Sequence, residues 1–167
     1  IMKYLGLIVI FFISLVMGTP LENVRNQFPT INSLEQTEKY LDELENEEDE
    51  TLQGYFAAMY FMKSKYVKFP LTKLKYFKKG KLLLDELISN NQNNIEIRYI
   101  RYLLQSEIPD FLGYNNYLEE DFFHIIENVE ASNLNRIFKL KMLQNILISK
   151  RITDQKEQKI KQLLKVL

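Results

Sequence analysis

The chain has 167 residues, and its 22 basic and 22 acidic side chains give a formal net charge of zero. A neutral balance argues against a dedicated nucleic-acid binder, which usually carries a basic excess. The chain has no cysteine, which excludes disulfides, thiol chemistry and the lipid-bearing cysteine of a lipoprotein.

Residues 1–18 have the pattern of a secretory signal peptide. Lys3 gives a basic start, residues 5–17 form an apolar run, and the small residue Gly18 precedes a polar break at Thr19. A membrane-spanning helix needs about 20 apolar residues, so we expect a cleaved leader rather than an uncleaved anchor, and no membrane span after cleavage. We therefore expect export to the periplasm or the cell exterior. The lack of disulfides favours a bacterial origin.

The remaining residues, 19–167, have the usual size of one domain. Thr19 to Glu22 is a capping box with proline at the first helical position, and Ser33 begins a second such signature. Apolar spacing and these caps predict helices over residues 20–28, 34–46, 50–66, 71–89, 95–108, 116–129 and 134–149, and from Thr153 or Asp154 onward.

These segments predict an all-α domain of about eight antiparallel helices joined by short turns. Residues 19–50 have few apolar positions and are expected to be more exposed, whereas residues 51–167 are expected to form the core. The helix over residues 134–149 is apolar on most sides, and we predict that it is buried.

Gly80 lies on the apolar face of the helix predicted over residues 71–89. Glycine in a helix interior costs about 1 kcal/mol relative to alanine, so we expect a close crossing with another helix. Ala57 and Ala58 give the preceding helix a small-residue surface for such an approach.

Residues 54–94 contain aromatic residues, small residues and an Asn-rich closing turn in the order of a two-helix repeat. These are Tyr55, Ala57, Ala58, Tyr76, Phe77, the segment 80–83 and the turn 90–94. The segment resembles a tetratricopeptide unit, which implies stacked helical hairpins. Separately, segments 93–101, 109–114 and 119–121 together resemble a group of small exported bacterial proteins. That resemblance implies a fold rather than an activity.

His124 is the only histidine, with Glu120 and Glu127 within one helical turn of it. One histidine does not build a typical zinc site, and no His-Glu-x-x-His pattern is present. No Gly-x-Ser-x-Gly turn positions a nucleophile either. We therefore expect a half-exposed surface histidine, no catalytic residue, no metal and no cofactor.

Arg98 and Arg101 lie three residues apart on one predicted helix. Two neighbouring guanidinium groups can grip a carboxylate or a phosphate of a ligand. Alternatively they pair with acids of the next helix, with Asp121 or Glu120 as the partners. We favour this second interpretation, because arginine commonly ties helices together.

The loop after Pro109 is unusually apolar, with Phe111, Leu112, Tyr114 and Tyr117. It either fills the core or forms a recognition pocket, and we favour the core because large exposed apolar patches are rare. If the chain has a ligand or partner site, we expect it at this loop. The candidate residues are Arg98, Arg101, Phe111, Tyr114 and Asp121.

Residues 63–81 contain eight lysines and no acid, interleaved with Tyr66, Phe69, Tyr76 and Phe77. Single-strand nucleic-acid binders combine lysines with stacking aromatics in this way. Three of these aromatics also lie on helical apolar stripes, so we favour core residues beside a solvated basic face. We expect no nucleic-acid partner.

Two function classes remain open. The first is a monomeric, non-enzymatic helical module that binds a protein or peptide, and it predicts an open groove. The alternative is a periplasmic carrier of a small apolar ligand or lipid, and it predicts an enclosed cavity of a few hundred Å³ or more. An enzyme is a third class, which would need Glu120, Asp121 and His124 to converge with an arginine in a cleft.

Overall fold

The computed structural model describes residues 18–167 of the protein. Within that range the chain forms eight α-helices and no β-strand, which confirms the predicted all-α class. In chain order the helices are α1 Pro20–Gln27, α2 Leu34–Leu44, α3 Glu50–Tyr66, α4 Pro70–Asn90, α5 Ile95–Glu107, α6 Leu118–Asn128, α7 Arg136–Leu147 and α8 Asp154–Leu163. In this part of the chain, none of the helices combines the length and hydrophobicity that crossing a membrane requires. The leader predicted over residues 1–18 lies, apart from Gly18, outside the described residues.

Side-chain caps begin the first two helices where the sequence predicts. The Thr19 hydroxyl accepts a hydrogen bond from the Glu22 N–H, and the Glu22 carboxylate accepts one from the Thr19 N–H, both at 3.2 Å. The Ser33 hydroxyl accepts one from the Gln36 N–H at 3.1 Å. These bonds pair N–H groups that a helix leaves free at its start. The predicted starts of α1 and α2 are confirmed.

Helix α5 lies at the centre of the fold. All its residues from 95 to 106 are buried, and α3, α4, α6 and α7 pack against it. The sequence instead predicts a buried helix over residues 134–149. That prediction is wrong for the outer side of this segment, where Ile137 of α7 and Ile148, which directly follows α7, are each 81% exposed. Apolar residues on several sides of a helix do not show which sides find a packing partner.

An ion pair joins the first helix, α1, to this centre. The Arg25 guanidinium of α1 donates two hydrogen bonds to the Glu96 carboxylate of α5, at 2.7 and 2.5 Å. The Tyr55 hydroxyl of α3 donates a third at 2.8 Å. Val24 of α1 and Leu44 of α2 are buried in the same core, while the outer faces of both helices meet solvent.

Helices α3 and α4 form an antiparallel hairpin. Phe61 of α3 meets Phe77 of α4 edge to face, with ring centroids 5.5 Å apart. A Cβ atom on Gly80 would lie 2.9 Å from the Ala57 carbonyl oxygen and 2.8 Å from the Phe61 ring. The expected close helix crossing at Gly80 is confirmed.

We predict that Gly80→Ala destabilises the protein by about 1–3 kcal/mol, the usual cost of overpacking. Alanine is the better helix former by about 1 kcal/mol. We still expect a net loss of stability, because the Ala57 carbonyl belongs to a rigid helix. Gly54→Ala is the matched control, since the atoms nearest to its Cβ would be side-chain atoms of Ile97 and Ile100, at 3.3 Å. Urea unfolding measures both variants, and equal losses would contradict a close crossing specific to Gly80.

Candidate functional site

A groove of about 850 Å³ opens between the α3–α4 turn and the C-terminal ends of α5 and α7. Most of the side chains along it are apolar, and we call it the apolar groove. Its floor consists of Phe28, Phe61, Phe77, Leu103 and Leu104, and its rim includes Leu74, Phe111, Leu112 and Ile148.

The floor of the apolar groove belongs to the hydrophobic core. Each of its five residues is at most 8% exposed. Phe28, which follows α1, meets Tyr55 and Tyr99 edge to face, with ring centroids 5.4 and 6.5 Å apart. Closely packed interiors keep their shape, so the groove is preformed.

The rim is exposed, and Phe111 is its most exposed residue at 85%. Phe111 lies in a 3-10 turn, Asp110–Leu112, which ends at Gly113 with a left-handed φ of 62°. The Asp110 carboxylate accepts hydrogen bonds from Arg151 and Asn115, which anchor the turn. The Phe111 ring is therefore exposed to solvent on a backbone turn that these hydrogen bonds anchor.

The expectation that this loop fills the core is correct for Tyr114 and wrong for Phe111. Tyr114 is 2% exposed, and its ring stacks on Phe61 with centroids 5.6 Å apart. Its hydroxyl donates to Asp85 at 2.6 Å, and burial together with this carboxylate raises the pKa of the Tyr114 hydroxyl. Gly113 lies between the two residues, and its left-handed turn directs one outward and the other inward.

The groove is basic beside the α3–α4 turn. Lys65 and Lys73 line it there, and the Lys73 ammonium donates to the Lys65 carbonyl oxygen at 3.1 Å. Neither lysine forms an ion pair with any residue in 18–167. Elsewhere along the groove, Lys150 is paired with Glu107 at 2.6 Å. An acidic group of a ligand could therefore pair with Lys65 or Lys73.

Three of the predicted site residues, Arg98, Arg101 and Asp121, form a buried ion-pair cluster. The Asp121 carboxylate accepts one hydrogen bond from Arg98 at 3.0 Å and two from Arg101 at 2.7 Å. Arg98 also donates to Glu120 at 2.6 Å, and this contact lowers the pKa of the Glu120 carboxyl. The favoured interpretation, that these arginines pair with acids of the next helix, is confirmed.

Of the five predicted site residues, Phe111 alone lines the apolar groove. Tyr114 lies beside the cluster, because its partner Asp85 has a carboxylate oxygen 3.9 Å from an Arg101 nitrogen. The structure therefore separates Phe111 from the other four. The charged groups of the cluster are already paired with one another, so the cluster joins helices and offers no free cation to a ligand.

Sequence reasoning missed most of the groove. Its residues come from segments as distant as Phe28 and Ile148, and no local spacing relates them. Two signals were present: the apolar loop around Phe111 and the lysine-rich segment that contains Lys65 and Lys73. Neither signal indicated that the loop and the lysine-rich segment lie side by side in the fold.

Comparison of the chain with protein-family models, with curated proteins and with solved structures finds no match in any of the three.

We predict that Asp121→Asn destabilises the protein by about 3–5 kcal/mol, because it removes the one fully buried counter-charge that Arg98 and Arg101 share and leaves them only the more exposed carboxylates of Glu120 and Asp85. Glu120→Gln is the matched control: the side chain is 57% exposed, and exposed pairs contribute about 0–1 kcal/mol. Both variants are measured by urea unfolding. A loss at Asp121 no larger than that at Glu120 would show that the buried cluster is not needed for the fold.

We also predict that His124 makes the protein less stable as the pH falls. Burial, and secondarily the Arg98 charge, lower the pKa of the His124 imidazole below 6.5. The unfolded chain then takes up a proton at a pH where the folded chain does not, so the free energy of unfolding decreases as pH falls through 6.5 and levels off below the folded-state pKa.

Urea unfolding from about pH 7.5 to 5 tests this, since histidine is the side chain whose ordinary pKa lies in that range. His124→Gln is expected to remove the decrease. An imidazole pKa at or above 6.5 in an NMR titration of the folded protein would contradict the prediction.

Proposed function

We propose that this protein is an exported, non-enzymatic helical module that binds a segment of a partner protein in the apolar groove. The observation that carries the proposal is the combination of a buried apolar floor with an exposed apolar rim. Phe111 and Ile148 on the rim are more than four-fifths exposed. Contiguous apolar surface of this kind marks interaction sites in soluble proteins.

The size and charge of the groove favour an amphipathic helix as the bound segment. Its volume of about 850 Å³ accommodates several large side chains, as helix-in-groove recognition requires with anchors at i, i+3 or i+4, and i+7. Lys65 and Lys73 at its edge complement acidic residues that flank such anchors. The expected partner segment is therefore apolar on one face and acidic beside it.

The alternative, a carrier of a small apolar ligand or lipid, is less well supported. A carrier encloses most of its ligand, whereas the rim residues Phe111 and Ile148 are largely exposed and leave the groove open to solvent. Catalysis is also less well supported. Glu120, Asp121 and His124 lie near Arg98, but Asp121 is fully buried and accepts three hydrogen bonds from arginines, so a substrate would not reach it.

We also propose that the module works outside the cytoplasm. The signal-peptide pattern of residues 1–18 supports export to the periplasm or the cell exterior. The resemblance of residues 54–94 to a tetratricopeptide unit supports a binding role, because stacked helical hairpins commonly hold peptides.

Selection of helical peptides from a displayed library on the purified protein tests the proposal, followed by fluorescence anisotropy of the selected peptides. We expect apolar residues at i, i+4 and i+7 with acidic neighbours. Ile148→Lys is expected to weaken binding about tenfold or more. Ile137→Lys is the matched control, because both residues are isoleucines of the α7 segment with 81% exposure, and only Ile148 lines the groove.

Two results would overturn the proposal. One is equal binding of the peptides by the Ile148→Lys and Ile137→Lys variants, which would place binding elsewhere. The other is failure to select any peptide while lauric acid displaces a groove-bound fluorescent probe, N-phenylnaphthylamine, from the wild type and not from Ile148→Lys. That second result would establish the carrier interpretation instead.

A further inference from the structure

The turn between α3 and α4 exposes two large apolar side chains that are separated by one residue in the chain. Phe69 is 73% exposed and Leu71 is 83% exposed. Between them, Pro70 is the first residue of α4. Neither Phe69 nor Leu71 lines the apolar groove. We call residues 67–75 the hairpin tip.

Lysines lie within the hairpin tip and on both sides of it. Lys65, Lys68, Lys75 and Lys78 are all exposed, and none forms an ion pair within residues 18–167. The sequence has no acid between residues 63 and 81. In a chain of zero net charge, this is a local positive surface with bulky apolar residues at its centre.

We propose that the hairpin tip docks the protein on an anionic membrane surface. Phe69 and Leu71 enter the boundary between headgroups and acyl chains, and the surrounding lysines bind lipid phosphates. Apolar residues bordered by lysine are the composition that binds such interfaces, and the negative potential of anionic lipids attracts basic segments. The binding is peripheral, which agrees with the lack of a membrane-crossing helix among residues 18–167.

A single-stranded nucleic acid fits this surface less well. Its bases need free aromatic faces, whereas Tyr60 and Tyr76 behind the tip stack on one another with ring centroids 6.1 Å apart. The Lys79 ammonium lies 4.1 Å from the Tyr60 ring centroid and the Lys63 ammonium 4.9 Å from that of Tyr76. Phe69 is then the main ring left for stacking.

Leu82 provides a control for how the tip binds. It is 67% exposed and lies on the same side of α4 as Leu71, eleven residues further and therefore about 16 Å along the helix. Insertion of the tip alone leaves Leu82 in water. A helix lying flat on the membrane would bury both leucines.

Flotation with vesicles of phosphatidylglycerol and phosphatidylcholine, and with vesicles of phosphatidylcholine alone, tests the proposal. Phe69→Ser/Leu71→Ser is expected to lower the affinity for anionic vesicles about tenfold, and Leu82→Ser to change it by less than about twofold. Lys68→Gln/Lys75→Gln/Lys78→Gln is expected to reduce the preference for anionic over neutral vesicles about tenfold or more, while Lys65 and Lys73 retain part of it. All variants share one leader, so a contribution from residues 1–18 cancels in these ratios.

Three results would overturn the proposal. They are anionic-vesicle affinity of the Phe69→Ser/Leu71→Ser variant equal to that of the wild type, an equal loss in Leu82→Ser, and lysine-dependent binding of a single-stranded oligonucleotide that is tighter than vesicle binding. Urea unfolding should show no loss of stability, because the altered side chains are exposed and Phe69→Ser introduces a capping side chain at the N-cap of α4. Peptide binding in the groove should also be unchanged, which separates a failure here from a failure of the proposed function.

Discussion

Helix α5 is buried along almost its whole length, and the fold depends on neutralising the charges that this helix carries inside. A charge in a protein interior is costly unless it is paired and hydrogen-bonded. Glu96 is neutralised by Arg25 of α1, and Arg98 and Arg101 are neutralised by Glu120 and Asp121 of α6. These pairs therefore determine where α1 and α6 pack on the central helix. They also engage Arg98 and Arg101 inside the protein, as the favoured interpretation of the sequence predicts.

The C-terminal half of α5 is different, and the apolar groove lies there. Leu103 and Leu104 are uncharged, so no ion pair holds a helix over them. They form part of the groove floor. The α3–α4 turn, the 3-10 turn and the end of α7 line the groove around these two leucines. The result is an apolar floor bordered by the ends of elements. Such ends present exposed residues, among them Phe111 and Ile148, which makes the groove open.

The two proposed binding surfaces are neighbours. Pro70 and Lys73 line the groove, while Phe69 and Leu71 on either side of Pro70 form the exposed centre of the hairpin tip. A protein held at a membrane by this tip would present its groove close to the bilayer, where a partner segment could be bound. The lysine-rich segment would then serve both surfaces, since its positive charge attracts anionic lipid and acidic peptide alike.

The sequence by itself determined the helical class, the caps at Thr19 and Ser33 and the close crossing at Gly80. It also indicated that the arginines of α5 pair with α6. These features depend on residues within a turn or two of each other, or on a charge that must find an opposite one. Only the tertiary structure decided that α5 rather than α7 is central, that Phe111 points out and Tyr114 in, and that a groove exists. Burial depends on which distant segments meet, and neither apolar content nor spacing along the chain contains that information.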